Sequence, residues 1–233
     1  MTTPMSLKID FDWKKCIKWV AIGALGLFVL IYFIKVATFE DDYYRRMEGS
    51  ERAEQITVED EELDETEVTE DDINNYTVPA SNPKFLKIND LGLEKARIRS
   101  VGVNAKGELG TPVSIFDAGW YEASGTPGSG KTIVIDGHNG GPTKEGIFKK
   151  LPSLERGSII EITRGDDKVF RYEVVENDMV SLDAADEYMS LKALRSPEAG
   201  RESVTLITCT GEWSQAKRTY LSRQFVRALL VKE

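Results

Sequence analysis

The stretch "WVAIGALGLFVLIYFIKVATF", Trp19 to Phe39, is apolar apart from Lys35, and it constrains this chain more than any other feature. Its uncharged part, Trp19 to Ile34, would reach only about 24 Å as a helix, against a hydrocarbon core of about 30 Å. The helix must therefore borrow Val36 to Phe39 and let Lys35 snorkel to the interface; it then crosses a bilayer. A buried soluble helix and a cleaved signal peptide are the rival readings. A signal peptide calls for small residues soon after the run, whereas "EDDYYRRMEGS" follows here. Lys8, Lys14, Lys15 and Lys18 precede the run, so residues 1–18 are expected in the cytoplasm and residues 19–39 form an uncleaved anchor in the cell membrane. Everything after Phe39 is then outside.

Between Glu40 and Val78 sixteen acidic residues face only Arg45, Arg46 and Arg52, with few large apolar groups among them. Such a segment buries too little surface to offset its ordering entropy, which predicts a flexible, mostly disordered acidic stalk over residues 40–78. The stalk also accounts for the net charge of -9, because Pro79 to Glu233 alone carries 22 basic and 21 acidic side chains. With no basic excess, a nucleic-acid partner is not expected.

Cys16 lies at the cytoplasmic membrane edge and Cys209 in the outer domain, so the two cannot pair within one molecule. One histidine and one cysteine outside the membrane do not make a zinc site. Cys209 is then either a core filler, as most free cysteines are, or a nucleophile.

After Pro79, short β-branched or aromatic runs recur between Gly, Pro, Asn and Asp, the signature of an all-β sandwich or barrel. The runs are Phe85 to Ile88, Ala96 to Ser100, Val113 to Phe116, Thr132 to Asp136, Ser158 to Thr163, Val169 to Val175, Val204 to Thr208 and Gln224 to Val231. Eight strands in about 150 residues favour a closed eight-stranded β-barrel over residues 79–233, because closure removes sheet edges. Short helical turns fit around Ile147 to Leu151 and Tyr188 to Leu194. The segment Val180 to Glu202 is expected to form one wall of a substrate groove.

Two of these strands end at reactive side chains. Thr132 to Asp136 runs into "GHNGG" with His138, and Val204 to Thr208 runs into Cys209, after which a Gly, a Glu and a Trp break the strand pattern. Loops at strand ends of a rigid barrel commonly carry catalytic groups. A thiol with a pKa near 8.5 is only a few per cent thiolate at pH 7, so a neighbouring imidazole or cation would be useful to it. His138 could activate the thiol and later protonate a leaving amine. Arg223, at the start of the last strand, offers a planar fork of donors for an oxyanion or a peptide carbonyl. Arg218 and Arg227 are rivals for that task.

These residues resemble the sortases of mainly Gram-positive cell envelopes. "TLITC" at Thr205 to Cys209 looks like their nucleophile motif, "VIDGHNG" at Val134 to Gly140 like their histidine motif, and "RQFVRALLV" at Arg223 to Val231 like their final strand. The similar segments follow one another in order through nearly the whole outer domain. The resemblance implies a sortase-type eight-stranded barrel and a cysteine transpeptidase that cleaves an LPXTG-like sorting signal through a thioester. The acyl group then passes to an amine, from a cell-wall precursor or a pilin lysine, or to water. The partners it implies are surface proteins bearing a C-terminal sorting signal. Carried over by residue, Cys209 would be the nucleophile, His138 the acid and base, and Arg223 the clamp. Some sortases bind calcium, but Asp183, Asp186 and Glu187 read as a solvated loop, and no metal or other cofactor is expected.

Two other functions fit less well. An L,D-transpeptidase-like crosslinker or other surface thiol hydrolase usually has His and Gly just before its cysteine and Arg soon after. Here Ile207 and Thr208 precede, and Thr210 and Gly211 follow. A non-catalytic membrane-tethered binding module would be expected to lack at least one of Cys209, His138 and Arg223.

Overall fold

The strand Thr132–Gly137 shows how this sequence builds its core: all six of its residues are buried, and Ile133 and Ile135 pack into the interior. A computed structural model describes residues 63–103 and 109–232. The expected cytoplasmic end, membrane span and first part of the stalk lie outside those residues. Among the described residues no helix is long and apolar enough to cross a membrane.

Eight strands close into a barrel: β1 (Pro83–Ile88), β2 (Leu93–Val101), β3 (Ala118–Tyr121), β4 (Thr132–Gly137), β5 (Ile159–Arg164), β6 (Val169–Ser181), β7 (Ser203–Ser214) and β8 (Thr219–Leu230). Around the barrel the order is β1-β2-β3-β4-β7-β8-β6-β5, with β5 returning to β1. The β2–β3 and β4–β7 pairs are parallel and the others antiparallel. Alternation along each strand sends Ile133, Ile135, Val204, Leu206, Val226 and Ala228 inward to a core completed by Phe148 and Tyr172.

The closed all-β barrel and its count of eight match the sequence reading, but one strand is exchanged. Val113 to Phe116 does not form a strand of the barrel; Ser114 makes only an isolated bridge to Asp64. The third strand is Ala118–Tyr121 instead, four buried residues in parallel register with β2. Its position is fixed electrostatically. Arg97 Nε and Nη2 donate to the Asp117 carboxylate at 2.7 and 3.0 Å, and Arg99 Nε donates to it at 3.0 Å.

The Gly-Glu-Trp segment does not break β7 either. Gly211, at φ 84°, takes up a bulge between Thr210 and Trp213, and the β7–β8 ribbon continues to Ser214 and Thr219. Beyond the bulge Trp213 meets Tyr220 edge-on with ring centroids 5.2 Å apart. The segment before Arg223 is therefore the tip of a hairpin.

The end of the expected stalk, from Leu63 on, has defined structure. Asp64 exchanges backbone hydrogen bonds with Val113 and Ile115, each 3.0 Å. Thr69 and Asp72 form a capping box that starts α1 (Glu70–Asn74), where three acidic residues favour the helix N-terminus. Tyr76 donates to the Ile98 carbonyl and packs on Phe85 at 5.9 Å. Counting charges predicted disorder here; the carboxylates are instead engaged by backbone and hydroxyl donors.

Between β6 and β7, α2 (Leu182–Tyr188) runs into a π turn, Met189–Ala193, where the sequence predicted a helical turn. Both lie on the outside of the barrel. Tyr188 stacks on Phe225 at 4.5 Å, and Thr205 Oγ1 donates to the Ala193 carbonyl at 2.8 Å.

Candidate active site

Side-chain alternation sends Asp136, Ile207 and Phe225 to the outer face of the barrel, opposite the core residues, and Cys209 and Arg223 follow Ile207 and Phe225 on that face. Cys209 lies within β7 rather than at its end, and it is paired in register with Arg223 of β8. What ends near Cys209 is the parallel pairing with β4, whose last registered pair is Asp136 with Ile207. Two side chains tie the strands together just beyond that pair. Thr208 Oγ1 donates to the Gly137 carbonyl at 2.7 Å, and Asn139 Nδ2 donates to the Cys209 carbonyl at 2.8 Å. His138, between Gly137 and Asn139, is thus held at the level of Cys209.

The His138 ring has its own anchor. Nε2 lies 2.6 Å from the Pro112 carbonyl, which can only accept, so Nε2 carries the hydrogen and Nδ1 is the basic nitrogen. Burial holds the His138 pKa below its ordinary value, and the Pro112 bond opposes that. Burial likewise pushes the Cys209 thiol up, opposed by the Arg223 charge and reinforced by that of Asp136. At neutral pH the groups therefore stand as a thiol and a neutral imidazole. Any attack by this sulfur would have to accompany proton transfer to a base.

The Arg223 guanidinium is positioned by its own hairpin. Nη1 donates to the Tyr220 and Ser222 carbonyls at 3.0 and 3.1 Å, and Nη2 to Thr219 Oγ1 at 3.3 Å. The rival arginines lie elsewhere. Arg218 is exposed in the hairpin turn at φ 51°, and Arg227 is buried, bound to Glu176 and to the Arg195 carbonyl.

Sequence reading missed Pro112, Asn139 and Asp136. Asn139 and Asp136 stood in the quoted motif, and an Asp closing an apolar strand is a visible oddity. Pro112 carried no signal, since its role is that of a main-chain carbonyl. The His138 loop is also clasped from outside: Glu65 accepts from the backbone N–H groups of Thr143 and Lys144 at 2.8 and 3.0 Å and from the Thr143 hydroxyl.

Residues 86–231 match the family model described as Sortase domain. No curated protein matches the chain. Among solved structures, sortase A from Corynebacterium diphtheriae, a lid mutant, is 23% identical, with 69% of this chain and 74% of that one covered and a TM-score of 0.48. Sortase C of Streptococcus pneumoniae is 20% identical, with 83% and 88% covered and a TM-score of 0.48. A Clostridium perfringens sortase D5 transpeptidase is 21% identical, with 70% and 89% covered and a TM-score of 0.47.

Proposed function

Because the chain belongs to the sortase family, and is therefore a cysteine transpeptidase, we propose that Cys209 is its nucleophile, His138 its acid and base, and Arg223 its carbonyl clamp. The observation that carries this assignment is the β7–β8 register that sets Cys209 opposite Arg223, with His138 tied alongside by Asn139 and Thr208.

The substrate is a surface protein with a C-terminal LPXTG-like sorting signal. Sulfur attacks the scissile carbonyl as the thiol proton passes to His138, and the resulting oxyanion is met by the Arg223 donors. Collapse breaks the C–N bond, and His138 returns the proton to the departing amine. The thioester is then attacked by the amine of a cell-wall precursor or a pilin lysine, or by water. His138 takes the acceptor's proton and delivers it to the Cys209 sulfur as the thioester breaks. The barrel works at the outer surface of the cell, held by the Trp19–Phe39 span, an orientation that the lysines before that span support.

The test is to incubate the enzyme with a library of sorting-signal peptides and candidate amines, and to read acyl-enzyme and products by mass spectrometry. Wild type should show a thioester on the Cys209 peptide, while Cys209→Ala and His138→Ala show none. An acyl adduct that survives Cys209→Ala would sink the assignment. On intact cells, a thiol or protease probe should reach residues after Phe39 but not the N-terminus; a secreted form beginning near Glu40 would refute the anchor.

A further inference from the structure

Asp136 is a chemically expensive residue beside this site that the mechanism above does not use. It lies on β4, which ends at Gly137, and precedes His138 of the following loop by two residues. It is only 8% exposed, and its Oδ1 has no hydrogen-bond partner among the described residues. A buried carboxyl with one oxygen unpaired costs stability, and an apolar residue would close this strand at less cost.

Its neighbours indicate a purpose. The Thr111 side chain bonds to the Asp136 carboxyl, and the next residue, Pro112, supplies the carbonyl that holds His138 Nε2. Gly119 of β3 is registered opposite Asp136. A Cβ on Gly119 would lie 2.3 Å from Asp136 Oδ1 and 2.7 Å from Pro112 Cδ, so carboxyl and turn come together over bare glycine backbone.

We propose that Asp136 is a positioning residue of the transpeptidase: it pins the Thr111–Pro112 turn over Gly119, and the pinned turn fixes the ring and tautomer of His138. Burial pushes the carboxyl up to about 8, so it is protonated at neutral pH. Once ionised, it raises the pKa of the Cys209 thiol. The other groups facing it can be named element by element. The loop that follows β4 offers His138, and β7 offers Cys209, on whose thiol both Asp136 and the Arg223 charge of β8 act. On β3 its registered partner is Gly119, preceded by Asp117, which is already held by Arg97 and Arg99. The turn itself brings no charge.

The experiment uses the full chain and two readouts. One is turnover of the peptide selected from the library. The other is the pH dependence of Cys209 alkylation by iodoacetamide, followed on the Cys209 peptide so that Cys16 is not counted. Asp136→Ala should lower kcat about tenfold or more at pH 7, with a much smaller effect on KM. Asp136→Asn keeps a partner for Thr111 but cannot ionise. It should recover most of that loss, and its Cys209 alkylation midpoint should fall by about half a pH unit or more relative to wild type. Wild-type kcat in Asp136→Ala, or an Asp136→Asn alkylation curve superposable on wild type, overturns the proposal. If Asp136→Ala does not fold, Thr111→Val serves in its place. It should lower kcat and move the acid limb of the pH profile downward, because the Pro112 carbonyl favours the protonated imidazole; an unmoved limb overturns the proposal. The proposal rests on the Cys209 and His138 assignments, and the two can fail separately. Acyl-enzyme in Cys209→Ala defeats those assignments, whereas wild-type behaviour of the Asp136 variants beside an inert Cys209→Ala defeats this proposal alone.

Discussion

Arg223 and Arg227 share one face of one strand, yet their guanidinium groups are differently employed. Arg223 is half-buried beside Cys209 and held by hairpin oxygens. Arg227 is 4% exposed and committed to Glu176 and Arg195. Arg223→Ala should reduce turnover by roughly 100-fold, the scale of losing one oxyanion donor. The thiol should remain alkylatable but react more slowly at pH 7, because the charge that lowers its pKa has gone. Arg223→Lys should restore only part of the turnover, since it keeps the charge without the fork. Arg227→Ala is not a harmless substitution. Removing a buried partner from a pair whose carboxylate is part-exposed should cost about 1–3 kcal/mol in denaturant unfolding. Arg218→Ala, in an exposed turn, is the proper control and should stay within a few fold of wild type. A crippled Arg218→Ala beside a mild Arg223→Ala would reverse these roles. The residues proposed for the chemistry, Cys209, His138 and Arg223, were picked out in the sequence because each is a polar or ionisable side chain in a motif. The groups that aim them were not, because a carbonyl from Pro112 and a bare Gly119 act through main chain that only the fold brings near.

At the scale of elements, the strap from Asp64 to Tyr76 matters more than its composition suggests. It adds a bridge to the segment that follows Pro112 and a clasp on the loop that follows His138. A chain beginning at Leu63 should therefore behave as the longer protein does. One beginning at Pro79 should lose at least about 5 °C in Tm, a loss of one to two kcal/mol for a chain of this size, and turn over more slowly. Equal melting and equal kcat in the two chains would show the strap to be idle. Hydrogen bonds from Thr143 hold the Glu65 pKa below its ordinary 4.5. The clasp is thus at full strength above that range and is lost as pH falls through the lowered value. Strand runs with β-branched residues were readable from sequence. The "AGWY" of β3 was not, because its place is set by Asp117 and two arginines of β2 rather than by propensity. The hairpin beyond Cys209 was hidden by Gly211, which reads as a breaker but serves as a bulge.

For the whole molecule, the buried carboxyl of Asp136 links stability to pH. In the unfolded chain it titrates near 3.8 and in the fold at about 8. Between those values the fold holds a proton that the unfolded chain has released, so this group's contribution falls as pH rises from about 4 to about 8 and is flat above. The Tm of Asp136→Asn should gain on wild type between pH 5 and pH 8; a constant difference would mean that the carboxyl is not buried. Closure of the barrel has a consequence in time as well. β8 is the last of the eight strands to leave the ribosome, and it is hydrogen-bonded to both β6 and β7 while delivering Arg223. Until it arrives, two strands stand with open edges and Cys209 has no partner across the ribbon. The pairing of Cys209 with Arg223 therefore comes into being only as the fold is sealed.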